Sequence, residues 1–343
     1  MDKTVKLVGF KAFDGMKKMY PDYNFPYFNC SYNALLTLGE YYQKNTLSIL
    51  CNPISIYRID STDKFKYEVT EFNKKEELLE ELGIKTNSQP IMIDALREQI
   101  TSCILDGNPI RIKIDLFYQN GREFYFGKKH GLHPVLVHGY DPSRDNIYIV
   151  DDISEYTEYC VPFTEFLEYF TENEAITDNS ITQYVLKHSH SSNINEKVIQ
   201  NFVSNLLLLE SELFDSISNI LQLADIYPFA LKHEDLIETL SSTIYRKCSE
   251  RYRLLKLLNL NNDSNSIKNS IIKKMDQVLD DWLLLRALSI KAIYTRNYGK
   301  KLIDNSRIIL HRISKLEREY HILFYSLIHN FNFNFSAEQE FYH

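Results

Sequence analysis

The fold is decided where a loop gives way to a helix, within the stretch Asn24-Phe25-Pro26-Tyr27-Phe28-Asn29-Cys30-Ser31-Tyr32-Asn33-Ala34-Leu35-Leu36. Its apolar spacing predicts a helix that begins at Cys30, with Asn29 as the N-cap. Unpaired backbone N–H groups and the positive end of the helix dipole favour thiolate over thiol in a first turn. Cys30 is therefore a candidate nucleophile. The alternative is a small core residue, the commoner role of a free cysteine.

The composition is that of a globular protein without a basic surface. The chain has 343 residues, 44% apolar and 25% charged, which suffices for two domains. Its net charge of -7 argues against general nucleic-acid binding. Residues 1–6 lack the apolar run of a secretion signal, and no segment approaches the ~20 apolar residues that span a bilayer. The sequence thus predicts a cytoplasmic protein that binds neither nucleic acid nor membrane.

Cysteine and histidine spacing gives no sign of a structural metal. The five cysteines are an odd number without a C-x-x-C pair, which favours neither a disulfide framework nor a zinc site. His130 and His133 form an H-x-x-H pair, but the helix and glutamate of a metalloprotease are missing. We expect no metal and no cofactor.

The hydrophobic period changes along the chain and predicts an α+β protein with a helical second half. In residues 1–175, the predicted helix at Cys30 packs on an antiparallel sheet. Within that sheet, Pro134 to Tyr140 and Ile147 to Val150 form a hairpin. Residues 176–195 are polar and predict a linker, although the apolar stretch 181–186 is a candidate to rejoin the sheet. Residues 196–343 have a helical period throughout and predict an all-α bundle, with four helices near 196–224, 232–259, 266–296 and 300–330.

The hairpin also supplies partners for the thiol. A cysteine nucleophile needs a base, and the base needs a group that fixes its tautomer. His133 directly precedes one hairpin strand and Asp151 ends the other, so antiparallel pairing predicts that they are neighbours. Asp152 takes the place of Asp151 if the strand register slips by one residue.

A thiolate that attacks a carbonyl also needs hydrogen-bond donors for the developing oxyanion. The backbone N–H of Cys30 is one candidate. The side-chain amide of Asn24, six residues upstream, is a second, and its alternative role is that of a turn residue beside Pro26.

These residues resemble papain-fold cysteine enzymes. The resemblance covers about residues 15–170 and is nearest to the butirosin-biosynthesis BtrH type, alongside bacteriocin-processing peptidases and the amide-forming enzymes of closthioamide-type polythioamide assembly. It rests on the motifs Asn24-x5-Cys30, Gly107-x-Pro109-Ile110, Asp115-Leu116-Phe117-Tyr118, His130-x2-His133-Pro134-Val135-Leu136-Val137-x-Gly139-Tyr140-Asp141 and Ile147-Tyr148-Ile149-Val150-Asp151.

The resemblance implies a papain-like catalytic domain over residues 1–175. Cys30 would be its nucleophile, His133 its base, Asp151 the orienting carboxylate and Asn24 an oxyanion donor, although the papain pattern has glutamine at that last position. BtrH-type proteins transfer an acyl group from a carrier-protein thioester to an amine. The resemblance therefore implies an acyltransferase that forms amide bonds through a Cys30 acyl-enzyme in natural-product biosynthesis. The alternatives are a cysteine peptidase or amidase with the same triad, and a non-enzymatic scaffold in which Cys30 is structural.

The implied partners are an acyl or peptidyl carrier protein, which delivers the substrate on its phosphopantetheine arm, and a small-molecule amine. Phe25, Tyr27, Phe28 and the aromatic loop 117–126 would line an acyl tunnel, unless they are ordinary core aromatics. Lys128-Lys129 would steer an acidic carrier, unless the pair is merely solvated surface. The sequence leaves open whether the helical domain covers the site or pairs two chains into a homodimer.

Overall fold

The computed structural model describes residues 4–21, 26–61, 64–153, 155–170, 180–187, 194–232, 235–259 and 265–329. The chain divides into two compact units. The first consists of Met1–Ile49 and Asn73–Ser192, and the second of Leu50–Phe72 and Asn193–His343. None of the helices in the described ranges combines the length and the apolar character that crossing a bilayer requires.

Nine strands and ten α-helices are described in this part of the chain. The strands are β1 (Val5–Lys6), β2 (Pro53–Ile59), β3 (Phe65–Glu71), β4 (Ile84–Pro90), β5 (Ile110–Asp115), β6 (Leu132–Asp141), β7 (Asn146–Asp151), β8 (Thr157–Pro162) and β9 (Ser180–Leu186). The helices are α1 (Gly15–Met19), α2 (Cys30–Tyr41), α3 (Leu47–Cys51), α4 (Lys75–Glu81), α5 (Leu96–Leu105), α6 (Phe163–Glu168), α7 (Ile194–Ala230), α8 (Asp235–Asn259), α9 (Asn265–Thr295) and α10 (Lys300–His329).

The first unit is built on a seven-stranded antiparallel sheet. Its strands follow the order β4-β9-β5-β6-β7-β8, and β1 pairs with β6 outside this path. The predicted hairpin is β6 and β7, with Tyr140 opposite Ile147 and Leu136 opposite Val150. Alternate residues of β5 and β6, from Ile110 and Val137 to Ile114 and His133, lie opposite one another on one buried face. The α+β class with an antiparallel sheet is thereby confirmed.

Helix α2 packs beside β6 in this unit. Its apolar side chains, among them Tyr32, Leu35, Leu36 and Leu38, are buried. Burial of such a stripe stabilises the helix through about 25 cal/mol per Å² of apolar surface removed from water. The packing therefore fixes the position of Cys30, the first residue of α2, relative to the sheet.

The second unit contains the four predicted helices, α7 to α10, together with the β2–β3 hairpin. Helix α10 packs on α7 and α9, and α8 packs on α9, while the hairpin packs on α7 and α8. The first of these helices is longer than the predicted 196–224, because α7 continues through Pro228 to Ala230. A proline so near the C-terminus of a helix disrupts only its last turn.

This division differs from the sequence-based boundaries at two places. The predicted first domain, residues 1–175, includes the β2–β3 hairpin, yet the apolar face of this hairpin packs among the helices of the second unit, where Phe65 and Tyr57 contact Trp282. Strand alternation shows that one face is buried but not which core buries it. Within the predicted linker 176–195, β9 pairs with β4 and β5, so this stretch belongs to the sheet.

Candidate active site

The loop before α2 places Cys30 at a helix N-terminus. The predicted N-cap is confirmed, since Asn29 Oδ1 accepts a hydrogen bond from the Tyr32 N–H at 3.1 Å. Cys30 is half-buried and is the first helical residue. Its backbone N–H therefore has no acceptor within the helix and is available as an oxyanion donor.

A strained turn leads into this helix. The Asn29 N–H donates to the Tyr27 carbonyl at 2.6 Å across Phe28, whose φ is 55°. A three-residue turn with positive φ at a bulky central residue is the rare, strained form. The Asn33 side chain secures the turn by accepting the Tyr27 N–H at 2.8 Å. The chain is thus held in an unfavourable conformation directly before Cys30, as functional sites often require. Asn24 lies outside the described residues, so its oxyanion role stays a prediction.

The sheet brings His133 and Asp151 together. Leu136 pairs with Val150, so Asp151 comes beside Val135, two residues from His133 along the same face of β6. His133 Nε2 lies 2.5 Å from Asp151 Oδ1. The nearest oxygen of Asp152 is 3.4 Å from the same nitrogen, which makes Asp151 the closer of the two predicted alternatives.

Cys30 also lies near His133. A side-chain hydrogen bond with Cys30 is one of the interactions that raise the pKa of His133. The structure therefore places His133 against Asp151 and near Cys30, and the catalytic roles of the three residues remain predictions.

The charges around His133 favour its protonated form, the imidazolium. Burial alone would lower the pKa of His133, but hydrogen bonds with Asp151 and Cys30 and the charges of Asp151 and Asp152 raise it to about 9. Burial likewise opposes ionisation of Asp151, yet the His133 hydrogen bond and the charges of His133 and Arg122 hold its pKa well below the usual range. With its pKa raised in this way, His133 carries its proton at neutral pH.

Three further side chains surround Asp151 and were not anticipated from the sequence. Gln119 Nε2 donates to Asp151 Oδ2 at 2.6 Å, and the Tyr159 hydroxyl donates to the same oxygen at 3.1 Å. Arg122 Nη2 donates to Asp151 Oδ1 at 2.8 Å. Gln119 and Arg122 come from the aromatic loop and Tyr159 from β8. Tyr159 of β8 pairs with Ile149 of β7, and Ile149 and Asp151 lie on the same face of β7. Because strand side chains alternate between faces, the sequence pattern of β8 could have placed Tyr159 beside Asp151.

His133, Asp151 and Asp152 are also close enough to share a metal ion, with ligand atoms within 4.8 Å of one another. Arg122 already occupies that position. Its Nη2 lies 2.8 Å from Asp151, 2.7 Å from Asp152 and 3.2 Å from His133 Nε2. A metal cation would have to displace the guanidinium, so we interpret the three residues as a cluster around arginine.

The aromatic loop exposes part of its apolar surface. Phe124 is 84% exposed and Phe126 is 46% exposed, whereas Tyr27 and Phe28 are buried. Phe25 lies outside the described residues, so the tunnel stays a prediction. Lys128 and Lys129 are both exposed. Exposure is compatible with steering of an acidic carrier and with an ordinary solvated surface.

The other two histidines of this region have separate surroundings. His130 Nδ1 lies 2.6 Å from buried Asp115, and the ring stacks on Phe117. His138 is fully buried at the β6 bulge and is stacked on Phe10.

Comparison of the sequence with protein-family models and with curated proteins finds no match. Function must therefore be inferred from the chemistry of this chain's own residues.

Proposed function

We propose that the protein is a cysteine-dependent acyltransferase with a Cys30–His133–Asp151 triad in a papain-like first unit. It would transfer an acyl group from a carrier-protein thioester to an amine and so form an amide bond. The observation that supports this proposal best is the 2.5 Å contact between His133 and Asp151, with Cys30 near the same imidazole. A nucleophile, a base and a group that orients the base are the parts covalent acyl transfer needs.

In the first half-reaction, the Cys30 thiolate attacks the thioester carbonyl. The oxyanion that forms is stabilised by the Cys30 N–H and, in the proposal, by Asn24. The carrier thiolate then leaves and takes the proton of the His133 imidazolium. This step exchanges one thioester for another, so it needs no nucleotide triphosphate. It leaves neutral His133 beside an acyl-Cys30.

In the second half-reaction, a primary amine attacks the acyl-enzyme. Neutral His133 accepts the amine proton, the amide is released, and the Cys30 thiolate returns beside a His133 imidazolium. Asp151 keeps the imidazole in the orientation that both steps need. Aminolysis of a thioester is downhill, so the cycle closes without a cofactor. We include in the proposal a carrier protein with a phosphopantetheine arm and a cytoplasmic location.

Exclusion of water separates a transferase from a hydrolase. In this proposal the half-buried position of Cys30 and the aromatic loop next to the triad limit the access of water to the acyl-enzyme. A peptidase would instead admit water to the same residues. The two functions therefore differ in what discharges the acyl-enzyme and in whether a thioester is needed.

The test is intact-protein mass spectrometry after mixing the protein with acyl-pantetheine thioesters. We expect the mass to rise by one acyl group in the wild type and in Cys160→Ala, a control that removes the exposed cysteine of β8. The gain should be lost in Cys30→Ala. Added primary amines should discharge the adduct faster than buffer does.

Two results would contradict this proposal. Cleavage of a peptide library without any thioester adduct would indicate the peptidase. An adduct that persists in Cys30→Ala would show that the acyl group attaches elsewhere on the protein.

A further inference from the structure

Arg122 contacts two members of the proposed triad, His133 and Asp151. Its Nη2 lies 2.8 Å from Asp151 Oδ1, the same oxygen that lies 2.5 Å from His133 Nε2. The same Nη2 lies 3.2 Å from His133 Nε2 and 2.7 Å from Asp152 Oδ1. Its other nitrogens are engaged as well, since Nη1 donates to the Asp152 carbonyl at 3.0 Å and Nε to Gln119 Oε1 at 2.8 Å. The side chain is only 13% exposed.

Gln119 extends these contacts into a closed network. Its Oε1 accepts from Arg122 while its Nε2 donates to Asp151 Oδ2, and the residue is fully buried. Asp151 thus receives hydrogen bonds on both oxygens from two residues of one loop, which fixes the plane of its carboxylate. A carboxylate with a fixed plane fixes the imidazole that pairs with it.

The loop that carries Arg122 is itself anchored at its base. The buried Asp115 carboxylate accepts the backbone N–H of Phe117 at 3.1 Å and that of Gly131 at 3.1 Å, which joins the two ends of the loop. Gly121, directly before Arg122, has φ of +91°, and a Cβ there would come within 2.8 Å of Ile153. The loop backbone at Gly121 therefore packs closely against the Ile153 side chain, which follows Asp152.

The charges around His133 come from three parts of the first unit. Cys30 belongs to α2, Arg122 to the aromatic loop, and Asp151 and Asp152 to the end of β7. The hydroxyl of Tyr159 lies behind Asp151, and Tyr156 has its pKa raised by burial and by the nearby charges of Asp151, Asp152 and Cys30. Two carboxylates thus favour a proton on His133, and the guanidinium of Arg122 lies 3.2 Å from the same imidazole nitrogen.

We propose that Arg122 is a positioning residue of the triad, which holds Asp151 against His133 and balances the two carboxylates that face the imidazole. This inference rests on the proposed function, because it assigns Arg122 a role in the same site. Without the guanidinium, the paired carboxylates act on His133 unopposed, and the imidazolium keeps its proton to higher pH.

The experiment measures how the proton on His133 affects the thiol, and it needs no acyl substrate. Cys30 is alkylated in parallel with iodoacetate and with iodoacetamide, from about pH 6 to about pH 11, and its modification is followed by peptide mapping. An imidazolium attracts the anionic reagent selectively, so the ratio of the two rates falls when His133 loses its proton. We expect the wild-type ratio to fall with an inflection near pH 9.

Arg122→Met should move that inflection upward by about one pH unit, the size of effect a lost neighbouring charge produces. Arg122→Lys keeps the charge and should move it less. Arg144→Met is the matched control. It removes an exposed arginine from the turn at the far end of the β6–β7 hairpin and should leave the inflection unchanged. Thermal melting shows which variants fold. If Arg122→Met does not fold, Arg122→Gln replaces it in the experiment.

An inflection in folded Arg122→Met that coincides with the wild type would overturn the inference. So would an equal shift in Arg144→Met, because the effect would then be one of net charge. A wild-type ratio that does not change with pH would also overturn it. Failure of the proposed function is distinguishable, because it appears as the absence of an acyl adduct while the alkylation ratio still responds to pH and to Arg122.

Discussion

At the scale of the residue, the site depends on which carboxylate faces His133. The sequence left Asp151 and Asp152 as alternatives. Strand alternation places Asp151 on the face of His133, and its five hydrogen-bond contacts come from His133, Gln119, Arg122, Tyr159 and the Asp152 N–H. Asp152 lies past the end of β7 and contacts His133 only at 3.4 Å.

Replacing Asp151 with Asn should therefore harm acyl transfer more than replacing Asp152. An amide at position 151 turns its NH2 group toward donors and removes the charge that supports the imidazolium. We expect the rate of Cys30 acylation to fall about 10²-fold or more in Asp151→Asn, the range for loss of acid–base function, and far less in Asp152→Asn. Single-turnover acylation followed by mass spectrometry measures both. A larger loss in Asp152→Asn would reverse the assignment.

At the scale of the element, the β6 bulge buries a histidine that the triad does not use. The register of β6 against β7 shifts between Val137 and Gly139, which makes His138 the extra residue. Its ring stacks on Phe10 with centroids 4.8 Å apart, and its Nε2 lies 3.3 Å from Glu158. Burial lowers the pKa of His138 to about 4, although Glu158 opposes the shift.

This burial predicts a loss of stability in acid. The unfolded chain takes up the His138 proton near pH 6.5, whereas the folded chain does so only near pH 4. Stability is therefore lost as the pH falls through that window, by up to about 3 kcal/mol at about 1.4 kcal/mol per pH unit. Urea unfolding of the wild type and of His138→Phe at pH 7 and near pH 4.5 measures the effect. The variant should lose less stability than the wild type, and equal losses would exclude His138 as the cause.

At the scale of the whole molecule, each of the two units has its own core. The core of the second contains an ion-pair network that joins the β2–β3 hairpin to the helices. Lys247 is 2% exposed and contacts Glu250 at 2.9 Å and Glu317 at 2.8 Å. Tyr57 and Tyr67 donate to these carboxylates at 2.5 Å each. Burial opposes ionisation of Glu250, but the nearby positive groups, of which Lys247 acts most strongly, lower its pKa to about 2.

Lys247→Met should destabilise this unit strongly. The substitution leaves two carboxylates buried without their nearest cation, which typically costs about 3–5 kcal/mol. Lys315→Met removes a lysine whose side chain is 76% exposed and should change stability by less than about 0.5 kcal/mol. Urea unfolding of both variants gives the comparison. Equal, small losses of stability in the two variants would show that the network contributes little. If Glu250→Gln and Glu317→Gln together restore the stability of Lys247→Met, unpaired buried charge is the cause of the loss.

The sequence by itself determined the local features of this protein. The start of α2 at Cys30, its Asn29 cap, the β6–β7 hairpin and the four long helices all depend on capping and hydrophobic period, which neighbouring residues specify. The nearness of His133 and Asp151 followed as well, because antiparallel strands bring the start of one beside the end of the next.

Other features became visible only in the folded chain, because they join residues that no local pattern relates. Gln119 and Arg122 reach Asp151 from an irregular loop, whose path no hydrophobic period specifies. The β2–β3 hairpin has the alternation of any half-buried strand pair, so only packing could place it among the helices. The choice of Asp151 over Asp152 likewise required the register of the folded sheet, since a slip of one residue exchanges the two faces.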